Sequence, residues 1–208
     1  MITYIEPSDR LRHTIEIQQY FSLRKKIFCD RLHWVESKPF DLEFDEYDEI
    51  YNIYILNIDD ETGKVTGGVR LMPTTGPTLM HTVWADMLPD RDDFRSPNIW
   101  EATRFCVDDN VSSRKANLAN RITLALSASI IDFAHANGIS HIIAVCESRF
   151  FDMTNVYYGN AEIIDRRVDA NGTDICCGLW SAGADRGRIA WAKQFIGGAD
   201  PVILKKVA

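Results

Sequence analysis

The sequence predicts a mixed α/β domain in which a twisted central sheet is flanked by helices, the three-layer α-β-α arrangement. Three observations lead there. Segments with helical spacing alternate with short apolar runs patterned as strands. Two pairs of those runs are joined by hairpin signals. The length, 208 residues, is one at which a single domain around one core is the default, so one domain is expected over 1–208.

The first element follows Pro7 and Ser8-Asp9, a turn and cap. Ile17, Tyr20, Phe21, Ile27 and Phe28 recur at spacings of three and four, the pattern of an amphipathic helix. Periodicity disappears from Arg31 to Glu49, where His33-Trp34-Val35, Lys38-Pro39-Phe40 and an acidic stretch read as a long functional loop. Residues 52–58 form a strand, Asp59 to Lys64 its turn, and 65–72 the returning strand, stopped by Pro73. Pro73, Gly76, Pro77, Pro89 and Pro97 break the next stretch into connections around a short apolar piece at 80–88. Residues 98–107 (NIWEATRFCV) read as a buried strand, and 117–137 as a long apolar helix ended by Asn137-Gly138. A strand at 141–146 comes next, then an amphipathic segment at 150–158. Two last strands, 161–168 and 174–181, are joined by an Asn171-Gly172 turn.

Composition narrows the function. With 46% hydrophobic and 25% charged residues, the chain is neither disordered nor of low complexity. The balance of 23 Lys plus Arg against 30 Asp plus Glu, a net −7, disfavours nucleic acid or an anionic membrane as partner. Cys29, Cys106, Cys146, Cys176 and Cys177 are odd in number and contain no Cys-x-x-Cys pair. Neither a disulfide framework nor a zinc site is indicated, and a reduced, cytoplasmic setting is expected. No apolar run approaches the roughly 20 residues that span a bilayer. Gly-x-Ser-x-Gly, the P-loop and His-Glu-x-x-His are all missing, and Cys146 and His141, five apart on a strand, would face opposite ways.

What remains is a set of charges where apolar residues belong. Arg24 falls three residues after Phe21 and four before Phe28, on the stripe that should face the core, so it needs a partner or a ligand unless its head snorkels to water. Six carboxylates occupy the nine positions 41–49, interleaved with Leu42, Phe44 and Tyr47: a cation-holding wall or a solvated acidic loop. The stretch opens like a calcium loop, but Glu46 stands where glycine is required. In the strand at 98–107, strict alternation puts Glu101, Thr103 and Phe105 on one face and Trp100, Ala102 and Arg104 on the other. A bulge could instead bring Glu101 and Arg104 to one site and free backbone groups for a ligand. Arg70, just after Gly67-Gly68, adds a further charge inside the sheet.

Arg24-x-x-x-Phe28-x-x-x-x-x-Trp34, Asp45-x-x-Asp48, Arg70 and Glu101-x-x-Arg104, in this order and spacing, resemble the acyl-homoserine-lactone synthase (autoinducer synthase) family. The resemblance covers the N-terminal half. It implies a fold similar to that of the GCN5-related N-acetyltransferases, and two substrates: S-adenosylmethionine (SAM) and an acyl thioester on acyl carrier protein or coenzyme A. It implies no metal and no cofactor, SAM being consumed. Acylation of the SAM amine needs a carboxylate to take up a proton, which makes Glu101 the first candidate base and Asp45 the second. Arg24 and Arg104 become candidates for the SAM carboxylate, Asp45 and Asp48 for its cationic side, and Phe28 and Trp34 for an aromatic wall. Arg24, Asp48 and Arg70 could equally form a structural ion-pair network.

An acyl pocket is expected from Phe105, Leu124, Ala144, Cys146 and Phe151, although helix-to-sheet packing accounts for each as well. No Thr of the kind that accompanies 3-oxo chains stands near Val145-Cys146-Glu147, which favours an unsubstituted or unusual acyl group. Docking of an acidic carrier would need local positive charge, for which Arg114, Lys115, Arg121, Arg149, Arg166 and Arg167 are the candidates. The helix starting Phe150-Phe151-Asp152 is less basic than in family members that use the carrier, which keeps coenzyme A open. Against it, Arg114-Lys115-Ala116-Asn117-Leu118-Ala119 lacks the glycines of a pyrophosphate loop. An acetyl-coenzyme A N-acetyltransferase and a small-ligand sensor domain are the competing readings.

Overall fold

Met1, through its amine and carbonyl, is stitched to the Ile58 carbonyl and N–H at 2.7 and 2.8 Å, and so starts a strand that periodicity does not single out, β1 (Ile2–Ile5). The computed structural model describes residues 1–37, 40–90, 92–108, 118–158 and 161–183. A 3-10 turn, Pro7–His13, leads into helix α1 (Thr14–Arg24), which continues as a π-helical segment, Lys25–Arg31. Such wide turns are rare and concentrate at functional sites. Here the turn buries Ile27, Phe28 and Cys29.

The rest of the sheet follows the predicted order. β2 (Ile53–Ile58) and β3 (Val65–Pro73) form the hairpin, its turn held by Asp59, whose Oδ1 accepts from the Glu61 and Thr62 N–H groups and the Thr62 hydroxyl. β4 (Ile99–Val107) is followed by α2 (Leu118–Ala136), which ends before Gly138 at φ +71°. β5 (His141–Glu147) runs directly into α3 (Ser148–Tyr158). β6 (Glu162–Val168) and β7 (Asp174–Ser181) make the second hairpin, with Gly172 at φ +79° in its turn. The sheet order is β1-β2-β3-β4-β5-β7-β6, antiparallel everywhere except between β4 and β5.

Both faces of the central strands are covered, which is why they read as unbroken apolar runs. Ile53, Ile55, Val69, Leu71 and Ala102 face α2 and its Ile122, Leu126, Ile130 and Phe133. Tyr54, Leu56, Val65 and Cys106 face α1 and its extension, through Tyr20, Leu23, Ile27 and Phe28.

Two features of this sheet create the site. β4 and β5 pair only over Ile99–His141, Trp100–Ile142 and Glu101–Ile143; beyond those residues their register ends and the sheet forks. Across the β3–β4 ladder, Gly68 is opposite Cys106 but Arg70 is opposite Thr103, so Val69 faces two residues, Arg104 and Phe105. That is a β-bulge. Gly68 belongs to it: a Cβ there would come within 2.7 Å of the Tyr20 ring and 2.6 Å of Leu56. Tyr20 lies over this glycine and donates its hydroxyl to the Arg104 carbonyl at 2.8 Å.

Gly68→Ala is expected to destabilise the fold by about 1–3 kcal/mol through overpacking, with the Tyr20 ring displaced from the bulge. Denaturant unfolding and near-ultraviolet circular dichroism would check this, and an unchanged midpoint would refute the close-approach account.

Candidate active site

The bulge decides which charges meet. Before it, Trp100 and Ala102 face α2 while Glu101 and Thr103 face α1; after it, Phe105 and Val107 face α2 while Cys106 faces α1. Thr103 and Arg104 therefore stand consecutively on the α1 face, and Arg104 adopts φ +54°. This left-handed conformation costs a non-glycine residue about 1–3 kcal/mol. It puts Glu101 and Arg104 on the same face, which strict alternation forbids.

Arg104 joins a cluster that closes on itself. Arg24, fully buried, donates Nε to Glu43 at 2.5 Å and both terminal nitrogens to Asp48 at 2.9 Å. Arg70, also fully buried, reaches Asp45 at 2.5 and 3.1 Å, Asp48 at 2.8 Å and the Thr103 hydroxyl at 3.0 Å. Arg104 contacts Glu43 at 3.1 Å and Asp45 at 2.9 Å. Three guanidinium groups thus meet three carboxylates. The Tyr54 hydroxyl and the Asp45 N–H, each 2.9 Å from Asp48, fill remaining acceptor positions. Burial alone would raise the Glu43 and Asp48 carboxyls, but the arginines overcome it: Arg24 and Arg104 hold Glu43 below the usual carboxylate range, and Arg24 with Arg70 holds Asp48 far below it.

Glu101 sits apart from this cluster, 1% exposed at the point of the fork. Its Oε1 accepts the Met80 N–H at 3.0 Å, while Oε2 has no hydrogen-bond partner among the described residues. Burial pushes the carboxyl up to about 7, against the lowering influence of the Met80 N–H, the Thr78 hydroxyl, Arg70 and Arg104. A group poised near neutrality in this way suits general-base work.

The fork opens a cavity of about 520 Å³ that runs from one face of the sheet to the other. Phe28, Trp34 and Arg104 line its α1 side with Glu101, and the Trp34 indole N–H is buried without a partner among the described residues. The rings of Phe28 and Trp34 are 6.2 Å apart, and Arg104 lies 5.4 Å from the Phe28 ring. Arg24, Asp45, Asp48 and Arg70 do not line the cavity; Asp45 holds Arg104, which does, at 2.9 Å. Asp45 has both oxygens engaged, by Arg70, Arg104 and the Tyr47 N–H.

On the α2 side, Phe105, Ala144 and Cys146 line the cavity as expected, but two predicted residues lie elsewhere. Leu124 is buried outside the lining, and Thr123 and Ser127 take that wall. Phe151 packs on Trp180, 5.2 Å away, and over Gly178, while its neighbour Phe150 faces the cavity 4.8 Å from Phe105. In both cases the helical phase is one residue off the prediction.

Among the predicted basic residues, Arg114 and Lys115 lie outside the described residues. Arg149 pairs with Glu147 at 2.8 Å, Arg166 with Asp152 and Asp174 at 3.2 and 3.3 Å, and Arg167 with Asp86 at 2.7 Å. Sequence reasoning did not single out Glu43, hidden in a run of six acids, nor the Thr78–His81 turn that supplies the Met80 N–H. The alternation Leu42-Glu43-Phe44-Asp45 was the one signal for Glu43, and a loop gives alternation no fixed meaning.

A mixed sheet forked between two parallel strands, with a near-neutral carboxylate at the fork and an apolar channel beyond it, is the architecture of an acyltransferase. The autoinducer synthase family model matches residues 8–156, and the chain belongs to that family. It is 34% identical over 150 residues to the acyl-homoserine-lactone synthase of Agrobacterium fabrum, covering 72% of this chain and 71% of the relative. Identity to the isovaleryl-homoserine lactone synthase of Bradyrhizobium diazoefficiens is 34% over 140 residues, covering 66% and 60% of the two chains. A CoA-dependent acyl-homoserine lactone synthase solved with SAM and isopentyl-CoA shares the fold, with a TM-score of 0.83 at 24% identity over 100% of this chain and 93% of that one. An acyl-CoA N-acyltransferase from Pseudomonas aeruginosa gives 0.55 at 10% identity over 86% and 99%.

Asp48→Asn should cost about 3–5 kcal/mol at pH 7, because it leaves Arg24 and Arg70 buried with too little countercharge. The folded carboxyl titrates below its unfolded value of about 3.9, so its stabilisation is complete above that value and is lost as pH falls through the folded one. The gap between variant and parent in urea melts should therefore narrow below about pH 4; a gap constant down to pH 2 would contradict the ion-pair account.

Proposed function

We propose that the protein makes an N-acyl-L-homoserine lactone for quorum sensing by transferring an acyl group from a thioester to the amine of SAM and then closing the lactone. The observation that carries this reading is Glu101: buried at the fork, one oxygen fixed by the Met80 N–H and the other unpartnered, with its carboxyl raised to about 7.

SAM would lie on the α1 side against Phe28, Trp34 and Arg104, and the acyl chain would pass through the fork toward Phe105, Ala144, Cys146 and Phe150. The SAM ammonium gives up a proton to Glu101, directly or through water, and the freed amine attacks the thioester carbonyl. Backbone N–H groups of the Arg104–Phe105 bulge would donate to the resulting oxyanion. Collapse breaks the carbon–sulfur bond, and the departing thiolate takes the second amine proton. In the second half, a SAM carboxylate oxygen attacks the carbon γ to it, the bond to the sulfonium breaks, and methylthioadenosine leaves. Because the leaving group is already cationic, this step needs mainly orientation, an effect that can supply several kcal/mol. Asp45 is the weaker candidate base, since its oxygens are occupied.

For the donor, the acyl thioester is carried by acyl carrier protein or by coenzyme A; both are anionic, and the ion pairs of Arg149, Arg166 and Arg167 bear on the two alike. SAM enters as a substrate, and the proposed chemistry calls on no cofactor or metal.

Purified protein given SAM and a mixed panel of acyl-coenzyme A and acyl-carrier thioesters should yield lactone and methylthioadenosine in equal amounts by mass spectrometry. Lack of SAM binding would end the reading. The rate should fall about tenfold per pH unit below roughly pH 7, as Glu101 takes up its proton, and level off above. Glu101→Gln should lower turnover by ~10²–10⁴-fold with SAM affinity retained, and undiminished turnover would remove Glu101 from the mechanism.

A further inference from the structure

The Met80 N–H that fixes Glu101 belongs to a turn whose geometry is set by a buried histidine. His81 is 1% exposed. Its Nε2 lies 3.0 Å from the Asp93 carbonyl, and its Nδ1 lies 2.7 Å from the Thr78 hydroxyl. A carbonyl only accepts, so Nε2 carries the hydrogen; in the neutral ring Nδ1 then accepts from Thr78. Burial favours that neutral ring, lowering the imidazole below its ordinary value against the influence of the Asp93 carbonyl. The turn is closed by His81 N–H to the Thr78 carbonyl at 3.2 Å, and by the Thr82 hydroxyl to the same carbonyl at 2.9 Å. Met80, between these anchors, is fully buried and directs its N–H at Glu101 Oε1.

We propose that His81 is a positioning residue for Glu101: by bridging Thr78 and Asp93, its imidazole locks the turn that binds Oε1 and so leaves Oε2 as the oxygen that receives a proton from the cavity. The inference rests on the role given to Glu101 above. Beyond the Met80 N–H, the groups facing Glu101 are the Thr78 hydroxyl, Arg70 and Arg104, which favour its ionised form, and the Cys177 thiol; around His81 stand Arg95 and Asp92. The Met80 N–H and the Thr78 hydroxyl both belong to the turn that His81 holds, so a relaxed turn takes both away from the carboxylate. An ionised carboxylate that loses its donor is harder to form, so the acid limb of the rate profile moves to higher pH.

The test is His81→Leu beside His81→Gln, in which one amide can serve both Thr78 and Asp93, with His81→Phe as a third variant that keeps an aromatic ring without its nitrogens. Two readouts are followed: the pH profile of lactone formation, and the chemical shift of the Glu101 carboxyl in ¹³C-glutamate-labelled protein without substrate. In His81→Leu and His81→Phe both midpoints should rise by about one pH unit, ~10-fold in rate on the acid side, with His81→Gln closer to the parent. An equal loss of rate at every pH with an unmoved Glu101 midpoint would reduce His81 to a packing residue and overturn the proposal. If His81→Leu does not fold, His81→Phe and His81→Gln decide. Should the parent make no lactone, the proposed function fails, while the carboxyl titration still decides the latch.

Discussion

Arg24 and Arg70 have no exposed surface, and the need to neutralise them organises everything around the site. An isolated buried guanidinium is prohibitively costly. Each therefore draws carboxylates out of a segment with little regular structure: between Arg31 and Ile53 the described chain contains only one 3-10 turn, Glu46–Asp48. Asp45 caps that turn through the Tyr47 N–H, and Asp48 returns the bond to the Asp45 N–H. The loop is thus fixed by ion pairs from α1 and β3 and by its own capping box. Apolar residues of the same shape could stabilise a core equally well. What they could not do is set one loop conformation through six directional partners, or hold the charged head of Arg104 beside a cavity.

The bulge supplies what a regular sheet cannot. In flat β structure Glu101 and Arg104 diverge, and every N–H between them belongs to a ladder. One extra residue at Arg104 turns both toward α1, and the left-handed backbone there is held from outside: Tyr20 binds its carbonyl, and Glu43 and Asp45 bind its guanidinium. Gly68 makes room for the tyrosine. Strain at this position is sustained because helix, loop and strand all determine it together.

The fold was largely legible because its signals are local. Alternation, Asn171-Gly172, Asp59 with Gly63, and Asn137-Gly138 each specify an element or a turn without help from the rest of the chain. β1 escaped because four residues with one fully buried side chain, Ile5, carry too little pattern, and their pairing with β2 depends on contacts fifty residues away. The site divides along the same line. Charges inside apolar stretches flagged Arg24, Arg70, Glu101 and Arg104, since burying a charge always demands an explanation. Glu43 gave no such flag, being one acid among six. Leu124 and Phe151 were misplaced because a helix rotates its contacts by about 100° per residue, so a one-residue error in phase moves a side chain off the wall.

The two parts of the site are mechanically joined. Arg70 binds both the acidic loop, through Asp45 and Asp48, and β4, through the Thr103 hydroxyl, two residues from Glu101. Tyr47, in the middle of the capped 3-10 turn, shares a 2.7 Å hydrogen bond with Thr82, which in turn binds the Thr78 carbonyl in the turn that presents the Met80 N–H. The strand that carries Glu101 and the turn that presents the Met80 N–H are thus both tied to the acidic loop, the first through Asp45 and Asp48 and the second through Tyr47. A displacement of that loop would reach the base through both, and the aromatic wall through Arg104, which Asp45 binds and which lies over the Phe28 ring. Because buried hydrogen-bonded contacts of this kind have few alternative arrangements, the geometry favours a site assembled as one unit over separate halves that adjust independently.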